Sequence, residues 1–273
     1  MNSKYSYCVI RLRLGFISGE PRWATGTIVR DKVGRVFLVT NRHVVSGENV
    51  FPRQQRQAAP ITISGEVRLH SPIENKPFSI SLADTSGKWL ELLNVGYDAD
   101  VFRRAYKHID VTAIDLSECV ATDQIARVVA VDLDDLYPEQ HSEADELLRG
   151  LCVTDSCFVA GFPMSEGMTP NASLPVFKSG TVATEPRTEQ LHYFLLDSPS
   201  REGMSGSAVI HRTNSAISNV GLETQRYMQF VGIYSGSFLP ETSQRATQQR
   251  DFGLGIVWSL SKAIRPLLAS VRS

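Results

Sequence analysis

The residue pattern most suggestive of chemistry is a serine between two glycines, shortly before an apolar run. Residues 201–210 read REGMSGSAVI and place Ser205 in this position. A serine hydroxyl is a poor nucleophile at neutral pH, so catalysis through Ser205 requires a nearby base, usually histidine, and a carboxylate that orients the base. Glycine and serine also crowd tight turns, so this stretch by itself leaves a plain turn open as well.

The position of the base along the chain separates the families of serine hydrolases. Six histidines are available, namely His43, His70, His108, His141, His192 and His211. The order serine, acid, histidine of the α/β-hydrolases fails, because the only histidine after Ser205 is too close to it in sequence. That family also expects G-x-S-x-G, whereas this chain has GMSGS. A subtilisin-like order fails because no matching glycine-rich histidine motif is present.

The order histidine, aspartate, serine fits the chain. His43 lies in the segment TNRHVV after a β-rich run, which predicts a position at the rim of a barrel just past a buried strand. Asp110 stands at the head of the apolar strand in HIDVTAIDL, where a partly buried carboxylate is able to accept an imidazole N–H. Taken alone, such a histidine is more often structural, and such an aspartate is more often a turn residue. The order leaves His43, Asp110 and Ser205 as the candidate catalytic set.

The elements that must position these residues are mostly short β-rich runs with turn residues between them. Their spacing predicts a barrel or a sandwich rather than alternating βαβ units. The runs are TGTIVR, RVFLVT, ITISGEVRL, VTAIDL, CFVAGF, SGTVAT, YFLLD, SAVIH, FVGIYSG and GLGIVW. Two helices are predicted, SEADELLRGL over 142–151 and SLSKAIRPLLASV near the C-terminus, which Pro266 should disturb or shorten.

Composition limits the classes of function. The chain has 273 residues, of which 42% are hydrophobic and 21% charged, so it suits one large unit or two domains without long disorder. The formal net charge of -1 argues against nucleic-acid binding. Nothing approaches the roughly 18 apolar residues of a membrane span, and the N-terminus lacks an uninterrupted signal-peptide core. We expect no membrane association and a cytoplasmic location.

The four cysteines form no regular framework, and no metal or cofactor is predicted. They are Cys8, Cys119, Cys152 and Cys157. The spacing in CVTDSC is unusual for zinc, and no matching Cys or His pair stands elsewhere, so buried thiols are expected.

Together the three segments resemble the trypsin-like (chymotrypsin-fold) serine peptidases, and more closely the bacterial cytoplasmic and Deg-type branch, here without a PDZ domain. TNRHVV resembles T-x-x-H-V, IDVTAIDL resembles D-V-A-x-L, and GMSGSAV resembles G-x-S-G-G/S. The resemblance runs from about residue 20 to the end. It implies an all-β fold of two antiparallel six-stranded β-barrels with a C-terminal helix. The implied domains are an N-terminal barrel over 1–125, a linker with a helix over 126–150, and a C-terminal barrel with the terminal helix over 151–273.

The resemblance also implies roles for the candidate residues in a serine endopeptidase. Ser205 attacks the scissile carbonyl to form an acyl-enzyme, His43 transfers the proton, and Asp110 holds the imidazole. The backbone N–H groups of Gly203 and Ser205 are implied as the oxyanion hole, and Ser235 as a hydrogen-bond donor to the aspartate.

The substrate pocket is implied only by family position. Pro199 and Ser200 would lie near its base, with Ser235, Gly236 and Ser237 along one wall. No acid occupies the base, so a small or medium apolar side chain is expected before the scissile bond. Tyr234 either fills part of this pocket or packs beneath it.

The nucleophile motif departs from that of the digestive enzymes at two positions, and the first of them bears on activation. Met204 stands where those enzymes have the aspartate that pairs with a freed N-terminus, so activation by N-terminal cleavage is not expected. Ser207 replaces the second glycine of the motif.

A protein or peptide substrate is expected, and a regulatory protein partner is a conjecture that would make the chain an effector protease. The alternative is a catalytically silent trypsin-like domain that binds proteins.

Overall fold

The computed structural model describes most of both halves of the chain. The described residues are 4–47, 58–83, 109–117, 119–133, 151–163, 174–186, 188, 191–215, 225–237 and 253–269, with the backbone alone for 213–215 and 225–227.

The first sheet is a half-barrel built from the N-terminal half of the chain. Its strands are β1 (Val9–Gly15), β2 (Arg22–Arg30), β3 (Val36–Thr40), β4 (Thr62–Leu69), β5 (Glu74–Ser81), β6 (Thr112–Asp115) and β7 (Val131–Asp132). They lie in the order β5-β4-β1-β2-β3-β6, and β7 pairs in parallel with β2. Along β1, Leu12 and Leu14 are buried while Arg13 is exposed, so one face packs on the core and the other faces outward.

The second sheet closes into a six-stranded antiparallel barrel. Its strands are β8 (Ser156–Gly161), β9 (Val176–Val182), β10 (Tyr193–Asp197), β11 (Ser207–Ser215), β12 (Gln225–Ser237) and β13 (Leu254–Ser259). They follow the order β10-β13-β12-β11-β8-β9, and β9 pairs with β10 to complete the ring. The predicted all-β fold is confirmed, and the first unit shows seven described strands in an open sheet where a six-stranded ring was expected.

Each of the ten predicted runs lies on one observed strand, but the prediction missed β1, β5 and β7. β5 contains Pro77, which cannot donate to a ladder and is tolerated because β5 lies at the edge of the described sheet. β7 has only two residues, too few for a period-2 pattern.

The helical segments among the described residues are short. They are α1 (Tyr5–Cys8), α2 (Arg42–Ser46), α3 (Thr122–Ile125), and a π-helical turn (Leu260–Ile264) that leads into α4 (Arg265–Ala269). None of these segments has the length and apolar character needed to cross a membrane.

The terminal helix is disturbed at Pro266, as the sequence predicts. Proline lacks an N–H, and its ring clashes with the carbonyl four residues earlier. That carbonyl belongs to Lys262, and it accepts a hydrogen bond from His192 Nδ1 at 3.0 Å. The wider π-helical turn therefore precedes the proline, and a side chain from outside the helix satisfies the released carbonyl.

The beginning of the predicted linker over 126–150 belongs to the first sheet. Val128 forms a bridge with Leu69, and Val131 pairs with Val29 of β2. The rest of the linker, with nearly all of the predicted helix over 142–151, lies outside the described residues.

Candidate active site

His43 is held at the end of a buried strand by a single helical turn. The turn is α2, which follows β3 directly, and Gly47 ends it with a φ of 67° while donating its N–H to the His43 carbonyl at 2.9 Å. Asn41, at the N-cap, donates from Nδ2 to the backbone carbonyl of Asp110 at 2.7 Å. A five-residue helix is unstable in isolation, so these contacts define where His43 lies.

Asp110 is a buried carboxylate that accepts three hydrogen bonds. Its side chain is 1% exposed. Oδ1 accepts from the backbone N–H of His43 at 2.9 Å, and Oδ2 accepts from His43 Nδ1 at 2.6 Å. Ser235 Oγ also donates to Oδ2, which is the hydrogen bond that the resemblance implied. These donors replace the water that a buried carboxylate loses.

The imidazole of His43 connects Asp110 to Ser205. His43 Nε2 lies 3.1 Å from Ser205 Oγ. An ionised carboxylate only accepts, so Nδ1 carries the proton in the neutral ring and Nε2 is left to accept from the serine hydroxyl. Burial lowers the pKa of His43, but the negative charge of Asp110 and its hydrogen bond raise it by more, so the pKa of His43 lies above its usual value.

The loop that carries Ser205 is attached to the first sheet by threonines of β2. The backbone N–H of Thr25 donates to the Ser205 carbonyl at 3.0 Å, and its hydroxyl donates to the Gly203 carbonyl at 2.8 Å. Thr27 Oγ1 donates to the Gly206 carbonyl at 3.1 Å. These threonines are not predicted from the sequence, because threonine in a strand is an ordinary residue and no local pattern indicates its hydrogen-bond partner.

Gly206 allows the loop to touch the first sheet. Its φ is 89°, in the left-handed region that disfavours side chains. A Cβ atom here would lie 1.9 Å from the Thr25 carbonyl oxygen and 2.4 Å from Thr40 Oγ1. Both the conformation and the close approach require glycine.

The peptide between Met204 and Ser205 has a defined orientation. The Met204 carbonyl accepts from the N–H of Ser207 at 3.1 Å. In a planar trans peptide the C=O and N–H point in opposite directions, so the N–H of Ser205 faces away from Ser207. Gly203, with a φ of 87°, reverses the chain before this peptide.

Met204 anchors the loop by apolar packing. It is 2% exposed and belongs to the core of the second barrel, with Phe194, Val209 and Tyr234 in the same cluster. A buried methionine needs no charged partner, so apolar packing holds the loop at this position.

Comparison with known protein families then identifies the fold and the family. A sequence profile described as the trypsin-like peptidase domain matches residues 24–218, well over half of the chain. The chain belongs to the trypsin-like peptidase family. Membership identifies it as a serine endopeptidase. Comparison with the curated proteins gives no match.

Solved structures of serine proteases are similar to this chain at low sequence identity. The thermostable serine protease AL20 from an extremophilic microorganism has a TM-score of 0.50 at 10% identity, with 99% of this chain and 100% of that chain covered. Protease Anisep from Arthrobacter nicotinovorans has a TM-score of 0.49 at 13% identity, with coverages of 99% and 98%. The Rv3671c protease of M. tuberculosis in its active form has a TM-score of 0.45 at 12% identity, with coverages of 98% and 82%.

Two of the predicted substrate-contacting residues of the peptidase lie beside Ser205. A methyl group built on Gly236, whose φ is 105°, would lie 3.6 Å from Ser200 Oγ and 4.0 Å from Ser205 Oγ. Ser237 continues this strand opposite Gly255. The wall beside the nucleophile is therefore backbone and small side chains.

Pro199 and Ser235 differ from the other predicted pocket residues. Pro199 is exposed to solvent next to the half-buried Ser200. Ser235 directs its hydroxyl to Asp110, so this side chain serves the carboxylate.

Tyr234 packs beneath these residues, in the interior of the second barrel. It is 2% exposed, and its hydroxyl donates to the Ser198 carbonyl at 3.2 Å. A Cβ on Gly255 would lie 2.2 Å from Cε2 of Tyr234, so the ring covers the bare backbone of that glycine.

The remaining histidines lie elsewhere. His70 is exposed, His192 is bound to the Lys262 carbonyl, and the buried His211 lies 3.4 Å from Asp155 Oδ2. Burial lowers the pKa of His211 more than Asp155 raises it. His108 and His141 lie outside the described residues.

The cysteines are only partly as predicted. Cys8 and Cys157 are buried, and burial raises the pKa of both thiols to about 12. Cys119 is partly buried, whereas the prediction of a buried Cys152 is wrong, because this residue is exposed in the turn before β8. Across the described ranges no three His, Cys, Asp or Glu side chains cluster in a way that would hold a metal ion.

Proposed function

We propose that the peptidase hydrolyses peptide bonds by covalent catalysis through Ser205, with His43 as the proton-transfer group and Asp110 as its positioning residue. The observation that carries this proposal is the continuous contact from Asp110 through both ring nitrogens of His43 to Ser205, at 2.6 and 3.1 Å. Each contact has the donor and acceptor types that the chemistry needs.

In the first half of the reaction, Ser205 Oγ attacks the carbonyl carbon of the scissile bond while His43 Nε2 takes the hydroxyl proton. The C–N bond then breaks, and Nε2 gives the proton to the leaving amine, which leaves an acyl ester on Ser205. In the second half, water attacks the ester carbon while Nε2 takes its proton. The bond between that carbon and Oγ then breaks as Nε2 returns the proton to Oγ, which releases the carboxylic acid product and restores the serine. The carboxylate of Asp110 accepts from Nδ1 and stabilises the cationic imidazole that forms in both halves.

The orientation of the nucleophile loop supports an oxyanion hole at Gly203 and Ser205. Two backbone donors that are fixed before the reaction stabilise the negative oxygen of the tetrahedral intermediate without reorganisation. The Ser205 N–H is held by the Met204 carbonyl contact, and the positive φ of Gly203 needs glycine.

The proposed preference for the substrate side chain before the scissile bond rests on the small residues beside the nucleophile. Ser200 and Gly236 lie within reach of Ser205, and Pro199 and Ser237 flank them. The buried Tyr234 closes the interior below. These features support a small or medium apolar side chain before the scissile bond.

The packed Met204 supports a loop that is ordered before any partner arrives. A regulatory protein partner, a role as an effector protease, and a bacterial cytoplasmic location stay predictions from the sequence.

A fluorophosphonate probe tests the proposal directly, because it phosphonylates an activated serine without needing the natural substrate. We expect wild type to be labelled at Ser205 by intact mass and peptide mapping. Ser205→Ala should abolish labelling and His43→Ala should nearly abolish it. Ser79→Ala, an exposed serine of β5, is the matched control and should label like wild type. A folded wild type that never labels would defeat the proposal and favour the silent binding module.

A further inference from the structure

A groove rich in arginine and aromatic side chains lies on the outer face of the first sheet. Its volume is about 470 Å³. We name it the arginine groove and define it by the lining residues Tyr7, Arg11, Arg13, Trp23, Arg68 and Phe162. The first five come from α1, β1, β2 and β4, and the sixth follows β8 of the second barrel.

Two of the arginines stack on aromatic rings. The guanidinium of Arg11 lies 3.7 Å from the centroid of the Trp23 ring, and that of Arg68 lies 5.2 Å from the centroid of the Tyr7 ring. Stacking covers one face of a guanidinium and leaves its N–H edge able to bind a carboxylate. Arg13 is exposed at the same face. The groove thus presents pre-positioned donors for anions.

The carboxylate in the lining does not neutralise these arginines. Arg68 Nη1 donates to Asn75 Oδ1 at 2.7 Å, and Asn75 Nδ2 donates to Glu66 Oε2 at 3.2 Å. Asn75 therefore separates Glu66 from Arg68. Within the described ranges, the ion pairs of lysine and arginine involve other residues, so the groove keeps an excess of positive charge.

The groove begins next to the residue that holds the nucleophile loop. Arg11 is paired with Thr25 in the β1–β2 register, and the same Thr25 binds the carbonyls of Gly203 and Ser205. Phe162 donates its backbone N–H to Thr25 Oγ1 at 3.0 Å. Paired strands are about 5 Å apart and an extended chain advances about 3.3 Å per residue. A bound peptide therefore reaches the groove a few residues from the scissile bond.

The side of the scissile bond on which the groove lies follows from the unit of the fold to which the groove belongs. Gly236 and Ser200, beside Ser205, belong to the second barrel and lie on the acyl side in the proposed function. The groove belongs to the first sheet, whose Thr25 binds the nucleophile loop. With the acyl side assigned to the second barrel, the proposed function places the chain that leaves with the amine on the side of the first sheet.

We propose that the arginine groove binds an acidic segment of the protein substrate on the C-terminal side of the scissile bond. This inference rests on the proposed function and names the substrate class. Carboxylates are the ligands that match several arginine N–H edges at one face.

Binding is measured first on Ser205→Ala, so that catalysis plays no part. Fluorescein-labelled hexaglutamate should bind by fluorescence anisotropy, and labelled hexaglutamine should bind much more weakly. Arg11→Gln/Arg13→Gln should weaken hexaglutamate binding by roughly three- to tenfold, as expected for partly exposed charge pairs, and so should 1 M salt. Lys32→Gln, an exposed cation in the turn before β3, is the matched control and should leave binding unchanged.

Cleavage is measured next with peptide pairs built on a bond that a peptide library shows to be cleaved. The members of a pair differ only by glutamate or glutamine at the third to sixth residues after that bond. Wild type should favour the glutamate member in kcat/KM, and Arg11→Gln/Arg13→Gln should lose the preference while its fluorophosphonate labelling stays normal. Equal binding of the two hexapeptides, or a preference that survives in this variant, overturns the inference. A folded wild type that the fluorophosphonate does not label would instead overturn the proposed function.

Discussion

Replacing Thr25 by valine tests whether the first sheet holds the nucleophile loop in its reactive geometry. Thr25 is fully buried, its hydroxyl donates to the Gly203 carbonyl at 2.8 Å, and it accepts from the N–H of Phe162 at 3.0 Å. Valine has nearly the same shape and is also β-branched, so strand β2 is preserved while both hydrogen bonds are lost.

The magnitude follows from the two groups left without partners. A buried backbone group that loses its hydrogen bond costs about 1 to 3 kcal/mol, so the loss of two should lower the free energy of unfolding by about 2 to 6 kcal/mol. Losing one oxyanion donor completely costs about 3 to 4 kcal/mol. The Ser205 N–H stays fixed through Met204 and Ser207, and only Gly203 is released. We therefore expect the labelling rate to fall by roughly 10- to 100-fold, short of the full loss.

The assay is the second-order rate of fluorophosphonate labelling, because the phosphonyl oxygen of this probe occupies the oxyanion position. The rate is measured well below the melting temperature of each variant. Thr25→Ser keeps the hydroxyl and should recover most of the rate. Thr27→Val removes a comparable buried hydrogen bond, to Gly206, and should lower stability with a smaller effect on rate. A Thr25→Val protein that is destabilised but labels at the wild-type rate would refute the reasoning.

Three further predictions concern the charge, backbone and core of the site. Because the neutral imidazole is the active form and Asp110 raises the pKa of His43, the labelling rate should increase with pH around a midpoint above the usual pKa of an imidazole. In Asp110→Asn the imidazole of His43 stays buried while the negative charge beside it is lost. The pH midpoint of labelling should therefore fall, and the labelling rate should drop by roughly 10⁴-fold. Gly206→Ala should prevent folding, because its Cβ meets backbone at 1.9 Å, whereas Gly236→Ala should fold with about 1 to 3 kcal/mol of backbone strain. Met204→Leu should cost under about 1.5 kcal/mol, whereas Met204→Asp should unfold the second barrel.

Each of these has an outcome that would contradict it. A pH midpoint that is the same in wild type and Asp110→Asn would remove the aspartate as the source of the raised pKa. Thermal melting decides the other two. A Gly206→Ala protein as stable as Gly236→Ala would contradict the close approach of the nucleophile loop to the first sheet, and a stable Met204→Asp would contradict apolar anchoring of the loop.

Local patterns were enough to predict the strands that carry the site. Runs of β-branched and aromatic residues identify a strand wherever they occur, because side chains alternate between the faces of a sheet. The order of His43, Asp110 and Ser205 was likewise readable, because each lies in a short motif. β5 was not predicted because it contains a proline, which a strand tolerates only at the edge of a sheet. Which strand lies at the edge depends on the strand order of the folded sheet.

The sequence by itself determined the class of the fold and the candidate catalytic set, since both depend on residues close together along the chain. Only the tertiary structure decided which residues hold that set in place. Thr25 and Gly203 are 178 positions apart, and their hydrogen bond exists because the first sheet and the second barrel meet there. The arginine groove has the same origin, since Arg11 and Arg68 lie on strands whose register brings them to one face. Hydrogen-bond partners and charge clusters that are remote in sequence depend on strand order and register, which local periodicity does not encode.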